Sequence, residues 1–311
     1  MTPGEIRHRT IRALLLAEEP LTEAQLVEAS GLSLTQLRPA IEGLVKEGLA
    51  ISGGLVRGND AVHYRWAARW QDEVRKRAGS AREEAQAAVD CVDRVPDSRL
   101  WLDSPPVTAF HRHVIDHYRP PHEKRFLVFL QCSVRRPFSK SPSHGSMRRG
   151  ILAATGYDPA KDFEKCPVHV VVLASKIGPV PYELEDVYPA NVRSGGVKHF
   201  ANDTYREARP ILAERMADYI RTHGDRYDAT WTFTDGRYGE VMREAADLTE
   251  ATLHVLPDSR GPRVLRFGDS IPRTYWQKFW VQLYLEIVSR LDVADQVKAR
   301  NRLEELQVTY A

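Results

Sequence analysis

Cysteine is scarce in this chain, and Cys91, Cys132 and Cys166 are odd in number and widely spaced. That excludes a disulfide framework or a zinc knuckle and points to a reducing, cytoplasmic setting. Long apolar runs are missing as well: no stretch approaches a membrane span, and Met1 to His8 shows no signal-peptide pattern, so no membrane partner is expected. Charge of one sign is not in excess. With 44 Lys and Arg against 42 Asp and Glu, the net charge is +2, and a polyanion partner has to be argued from local clustering. No internal repeat and no low-complexity tract is found. His113 and His117 stand one turn apart on an expected helix, but no acidic residue holds the usual companion position between them and no cysteine pair lies nearby, so neither a metal nor a cofactor is expected.

What is present is ordinary globular material: 42% hydrophobic and 28% charged residues over 311 positions, enough for a large domain and a smaller one. Residues 1–68 read as three helices and a hairpin. Thr22 and Ser33 are placed to cap the second and third helices, Gly31 to end the second and Gly48 to end the third, with strands at Leu49–Ser52, Leu55–Arg57 and Val62–Trp66. That order resembles a winged helix-turn-helix. On that reading Gln36 and Arg38 would face bases, with Arg57, His63 and Arg65 on phosphates, although the third helix is only mildly basic. The alternative is packing against a neighbouring domain or a partner protein. Residues 69–104 read as a charged helical linker broken at Gly79-Ser80. From 105 to 311 strands and helices alternate, which predicts a three-layer α/β/α domain with a mostly parallel sheet. Trp276, Phe279, Trp280, Leu283 and Leu285 on its last long helix suit core packing or a homodimer face.

The most informative stretch is Gln131 to His144. An unbroken apolar run, Phe126–Leu130, predicts a buried strand and Met147–Thr155 a helix, so the loop between them falls at the carboxyl edge of a sheet, where open α/β folds bind ligands. Arg135, Arg136, Lys140, Arg148 and Arg149, with the hydroxyls of Ser133, Ser139, Ser141 and Ser143, predict an anion such as a nucleic-acid phosphate. Cys132, at the strand end, is a candidate nucleophile or a small buried residue. His144 is a candidate acid or base, or a helix cap. Asp235 and Tyr238 follow an expected strand at Ala229–Phe233; they would read and stack on a base, or cap the next helix.

The spacing of Cys132, Arg136-Pro137-Phe138, Ser141 and His144 resembles the core motif of archaeosine synthase, an archaeal enzyme that modifies a 7-deazaguanine base in tRNA. Arg136 stands for that family's lysine, Phe138 for its tyrosine and Gln131 for its leading proline. A second stretch, Leu173 to Ala190 with Pro181-Tyr182-Glu183-Leu184-Glu185 and Tyr188-Pro189, is similar to that family's second signature. The resemblance covers about residues 124–256. It implies an enzyme acting on a 7-deazaguanine-like or damaged base, with Cys132 adding to a nitrile carbon and with Glu183 or Glu185 moving a proton or holding a ribose. The winged helix favours DNA over tRNA as the polymer. The competing expectations are a DNA glycosylase and a winged-helix regulator that senses a nucleotide or deazapurine.

Overall fold

The computed structural model describes residues 1–17, 20–47, 49–53, 63–249, 251–256, 265–267, 275–305 and 308–310. It divides into two compact units, Met1–Arg77 and Ala78–Ala311.

In the first unit α1 (Pro3–Leu16), β1 (Leu21–Thr22), α2 (Glu23–Ser30), α3 (Leu34–Lys46), β2 (Ala50–Gly53) and β3 (His63–Trp66) follow in order. Thr22 caps α2 through Gln25, Gly31 closes it at φ 65°, and Ser33 with Gln36 forms a capping box on α3. The three strands form an antiparallel sheet in the order β1-β3-β2. Leu14, Leu26, Leu37, Ile41 and Leu44 are its buried core. The strand expected at Leu55–Arg57 lies outside the described residues.

Helix α4 (Ala67–Asp90) runs through Gly79-Ser80 without a break. Strong helix formers on both sides outweigh the cost of one glycine, about 1 kcal/mol. The stretch 69–104 is also not a free linker: from Ala78 it belongs to the second unit, where Ala85 and Val89 are fully buried. Arg82 donates to the Glu183 carbonyl at 2.8 Å.

The second unit continues with α5 (Pro105–Asp116), β4 (Phe126–Gln131), α6 (Pro142–Thr155), β5 (Val168–Ala174), β6 (Gly178–Pro181), α7 (Asn202–His223), β7 (Ala229–Phe233), α8 (Gly236–Thr249), β8 (His254–Leu256), β9 (Leu265–Phe267), α9 (Tyr275–Val288), α10 (Val293–Glu305) and β10 (Val308–Tyr310). Five strands form one sheet in the order β6-β5-β4-β7-β8. All neighbours are parallel except β5 and β6. β6 carries Pro179 and Pro181, which an edge strand tolerates because one side of it owes no ladder bond. The crossovers β4-α6-β5 and β7-α8-β8 leave the middle of the sheet in opposite directions, and right-handed connections then set α6 and α8 on opposite faces. Accordingly α6 packs with α9 and α10, and α7 with α5 and α8. The chain order reverses between β4 and β7, so their carboxyl ends flank the crevice where doubly wound sheets bind ligands. β9 and β10 pair separately as an antiparallel ribbon.

Candidate active site

Strand β4 is buried along Phe126–Leu130, and the Cys132 amide extends its ladder by one bond, donating to the Leu173 carbonyl at 3.1 Å. The thiol therefore emerges at the carboxyl end of the central strand, beside the β4/β7 crevice. Cys132 is 7% exposed. Its thiol donates to the Ser133 carbonyl at 3.4 Å, and Nη2 of Arg136 lies 3.8 Å from Sγ.

The loop that follows is clamped rather than open. Ser141 caps α6 by accepting from the His144 amide at 3.2 Å, and Pro142 occupies the first turn. The helix thus starts five residues before Met147 and takes Ser143 and His144 into its first turn. Phe138 is fully buried, with the Arg136 guanidinium 3.9 Å from its ring centre. Arg136 also donates from Nε to the Ala190 carbonyl at 2.8 Å, from Nη2 to Ser194 Oγ at 3.3 Å, and to the Ser133 carbonyl. Arg148 pairs with Asp158 at 2.8 Å and donates to the Ser139 carbonyl at 2.6 Å. Two of the cations counted toward an anion are therefore structural. Arg135 and Lys140 remain exposed, Arg149 is half-buried and Pro137 is partly covered. The hydroxyls are engaged too: Ser133 with the Arg135 carbonyl at 3.1 Å, Ser141 with Ser143 at 3.2 Å, and Ser139 with Glu185.

The second motif grips the first. Glu185 accepts from the Ser139 amide at 2.8 Å as well as from its hydroxyl. Burial pushes the Glu185 carboxyl up from its ordinary range, and the two Ser139 bonds only partly offset that. Tyr182 meets Nδ1 of His144 at 2.7 Å, while Nε2 lies 2.9 Å from the Gln131 carbonyl. A carbonyl can only accept, so Nε2 carries the proton and Nδ1 takes the Tyr182 hydroxyl's. Burial, then the Arg148 charge, pushes His144 down to about 3, so the ring is neutral and fully engaged.

Glu183 turns the other way. It accepts from the Tyr118 hydroxyl at 2.5 Å and lies 3.2 Å from His169 Nε2; His169 Nδ1 in turn meets the Tyr227 hydroxyl at 2.6 Å. Burial pushes the Glu183 carboxyl up, but His169 and Tyr118 outweigh it and leave the group below its usual range. His169 pairs in register with Leu127, near the amino end of β4, so the Glu183 network sits about 16 Å along the strand from Cys132 at roughly 3.3 Å per residue.

Around Cys132 the carboxyl edge is completed by Ser175, Gly196 and Arg237, which sequence reasoning did not select, together with Tyr238 and Asp235, which it did. Ser175, just past β5, is fully buried; its Oγ accepts from the Val197 amide at 3.1 Å and lies 2.9 Å from the Tyr238 hydroxyl. Tyr238, 2% exposed, brings that hydroxyl within hydrogen-bonding reach of the Cys132 thiol. Burial, then the neighbouring Cys132, pushes the phenol far up, so it stays protonated. Gly196 lies against the Tyr238 oxygen so closely that no side chain fits there. Arg237 pins the covering segment through the Val197 carbonyl at 3.1 Å, the Phe200 carbonyl at 2.7 Å and Asn202 at 2.6 Å. The signal in hindsight was position, since Ser175 is a small polar residue at the carboxyl end of a parallel strand. Asp235 is exposed at the crevice, its amide donating to Gln131 Oε1 at 3.1 Å. The site thus unites Cys132, Arg136, Ser175, Asp235 and Tyr238, with Glu185 and His144 supporting the loop and Glu183 apart.

In the first unit Gln36 Oε1 accepts from the Ser33 amide at 3.0 Å, and Arg38 pairs with Glu23 at 3.1 Å while staying exposed. Arg57 lies outside the described residues, and His63 and Arg65 are placed on β3 by their backbone. Among the described residues no group of three His, Cys, Asp or Glu side chains could hold a metal ion, and no helix is long and apolar enough to cross a membrane.

Comparison with known proteins matches residues 107–260 to a domain of unknown function, DUF5591. Archaeosine synthase subunit alpha of Thermococcus kodakarensis is 30% identical over 115 residues, 37% of this chain and 19% of the relative. That of Methanosarcina acetivorans is 30% identical over 141 residues, 45% of this chain and 20% of the relative. The archaeosine synthase of Haloferax volcanii is 26% identical over 146 residues, 47% and 22%. The core of the chain is archaeosine-synthase-like. The chain spans about a fifth of the length of these curated relatives. A solved structure of a protein of unknown function overlaps 48% of this chain and 43% of its own at 19% identity and a TM-score of 0.34, a likeness too slight to bear on fold or function.

Proposed function

We propose that this protein is a nucleic-acid base-modifying enzyme whose substrate is a 7-deazaguanine-type base, with Cys132 as the nucleophile. The observation that carries the reading is the placement of the Cys132 thiol at the chain-order reversal of the sheet, 3.8 Å from the Arg136 guanidinium and beside the Tyr238 hydroxyl. A thiol so placed can add to an electrophilic ring substituent such as a nitrile. The similarity to archaeosine synthases supports the base class. Asp235 is positioned to accept from a base edge entering the crevice, and the exposed Arg135 and Lys140 supply charge for the backbone that carries the base.

The finer reading concerns the polymer. Three helices followed by an antiparallel hairpin suit a winged helix, and such a unit would deliver the core to duplex DNA; the archaeosine synthase likeness favours tRNA. Incubation with tRNA and with duplex DNA, each carrying a nitrile-bearing 7-deazaguanine, tests both readings. The expected result is a mass adduct on Cys132 and a converted base with one polymer, both absent in Cys132→Ser. Conversion that survives Cys132→Ser would overturn the nucleophile and fit hydrolysis by a carboxylate-activated water, as in base excision.

A further inference from the structure

The sequence offers Tyr238 as a base-stacking surface or a helix cap, yet its ring is buried and its hydroxyl lies within hydrogen-bonding reach of the Cys132 thiol. The hydrogen bonds around that hydroxyl define where its proton points. The Val197 amide can only donate, so Ser175 Oγ accepts from it at 3.1 Å. The Ser175 proton is then directed at the Tyr238 oxygen, 2.9 Å away. Leaving it unbonded in a fully buried site would cost the desolvation of a hydroxyl. The Tyr238 oxygen is thus an acceptor from Ser175, and its own proton is left for Cys132, the other side chain within reach of the hydroxyl. A Cβ at Gly196 would run into the Tyr238 oxygen, so this glycine packs directly on the hydroxyl.

We infer that Tyr238, oriented by Ser175, is the proton shuttle of the Cys132 addition. The inference rests on the nucleophilic reading of Cys132. In the step, a bond forms between Sγ and the nitrile carbon, and one π bond of the C≡N group breaks with its electron pair passing to nitrogen. The thiol turns from the Ser133 carbonyl to the Tyr238 oxygen and passes its proton there while the Tyr238 proton moves to that nitrogen. The product is a thioimidate, the net addition of S–H across C≡N, with nothing oxidised or reduced. A shuttle that gains and loses a proton together never becomes a phenolate, which suits a phenol whose ionisation is strongly opposed by burial. Tyr238 has its hydroxyl within hydrogen-bonding reach of the reacting sulfur and is the catalytic residue; Ser175 is a positioning residue.

The test uses the full chain and whichever nitrile-bearing polymer it converts, following Cys132 adduct formation in single turnovers by intact-protein mass. Tyr238→Phe should slow the step by about 100-fold or more, the scale of general acid–base catalysis, with KM unchanged and the solvent deuterium isotope effect lost. Ser175→Ala should slow it by roughly tenfold, about 1.4 kcal/mol of barrier, and keep a reduced isotope effect. If Tyr238→Phe does not fold, 3-fluorotyrosine at position 238 keeps the shape and acidifies the hydroxyl, and should change the rate and the isotope effect. A step as fast as wild type in both Tyr238 variants, or a loss confined to KM, overturns the shuttle. An inactive Cys132→Ala beside an unaffected Tyr238→Phe removes the shuttle alone, whereas an active Cys132→Ala removes the nucleophile and the shuttle together.

Discussion

His144 and Tyr182, 38 positions apart, are joined by a 2.7 Å hydrogen bond in which the tyrosine donates and the imidazole accepts. The bond ties the first turn of α6 to the segment after β6, and so one motif to the other. Its electrostatic consequence is measurable. The ordinary His144 value is 6.5 and the folded one about 3, held down by burial. A group depressed on folding favours the folded state above its unfolded value and progressively loses that advantage as pH falls. Between pH 6.5 and 3 the unfolded chain takes up a proton that the folded chain refuses, at about 1.4 kcal/mol per pH unit. His223, lowered to about 4 by burial, adds in the same direction. Urea midpoints should fall steeply from pH 6.5 downward, and His144→Asn should be less stable at neutral pH but lose less on acidification. Parallel slopes for the two proteins would contradict the buried neutral imidazole.

Glu185 holds the loop through the Ser139 amide and hydroxyl, and hydrogen bonds to a charged group contribute about 1.5–3 kcal/mol each. Glu185→Ala should lower stability by about 2–4 kcal/mol and, more specifically, raise amide exchange across residues 133–140 with little change at β7. Uniform exchange across both regions would mean the clamp is not local.

Glu183 should behave differently, although it stands two residues away. Its carboxylate is buried against Tyr118 and His169 at the amino side of the sheet. Removing one member of such a cluster strands the others, and Glu183→Ala should cost about 3–5 kcal/mol of stability. Turnover per folded molecule should be unchanged. Chemical denaturation and active-site-normalised rates separate the two effects, and a selective loss of turnover would bring Glu183 back into the chemistry.

Gly196→Ala places a methyl carbon against the Tyr238 oxygen. Either the segment over the crevice shifts or the ring does, and the step at Cys132 should slow by about tenfold or more while the melting temperature changes little. Unchanged kinetics would show that the segment moves without disturbing Tyr238.

How much of this was legible in the sequence follows from the physics of each signal. Strands β4 and β7 fall where the sequence predicted them, and β4 is the clearest because a strand buried on both faces leaves an unbroken apolar run whatever surrounds it. The start of α6 was hidden because Pro142-Ser143-His144 reads as loop by composition and as a first helical turn only once Ser141 caps it. β6 was hidden because Gly-Pro-Val-Pro has no strand propensity; it is a strand only because Val171 to Ala174 offer it a ladder. The cations of the loop were overcounted. Nothing local says that the guanidiniums of Arg136 and Arg148 end on carbonyls and Asp158 instead of facing solvent. In the same way Glu183 and Glu185 are indistinguishable as letters, and they part only because the short turn at Tyr182–Leu184 sends them to opposite sides.

The grip of one motif on the other limits how the site can be rebuilt. Arg136 to the Ala190 carbonyl, Ser139 to Glu185 and His144 to Tyr182 are three ties between residues 136–144 and 182–190. A loop transplanted from a relative would therefore arrive without its mould. The two segments are one exchangeable cassette, and chimaeras that swap both together should fold where single swaps fail.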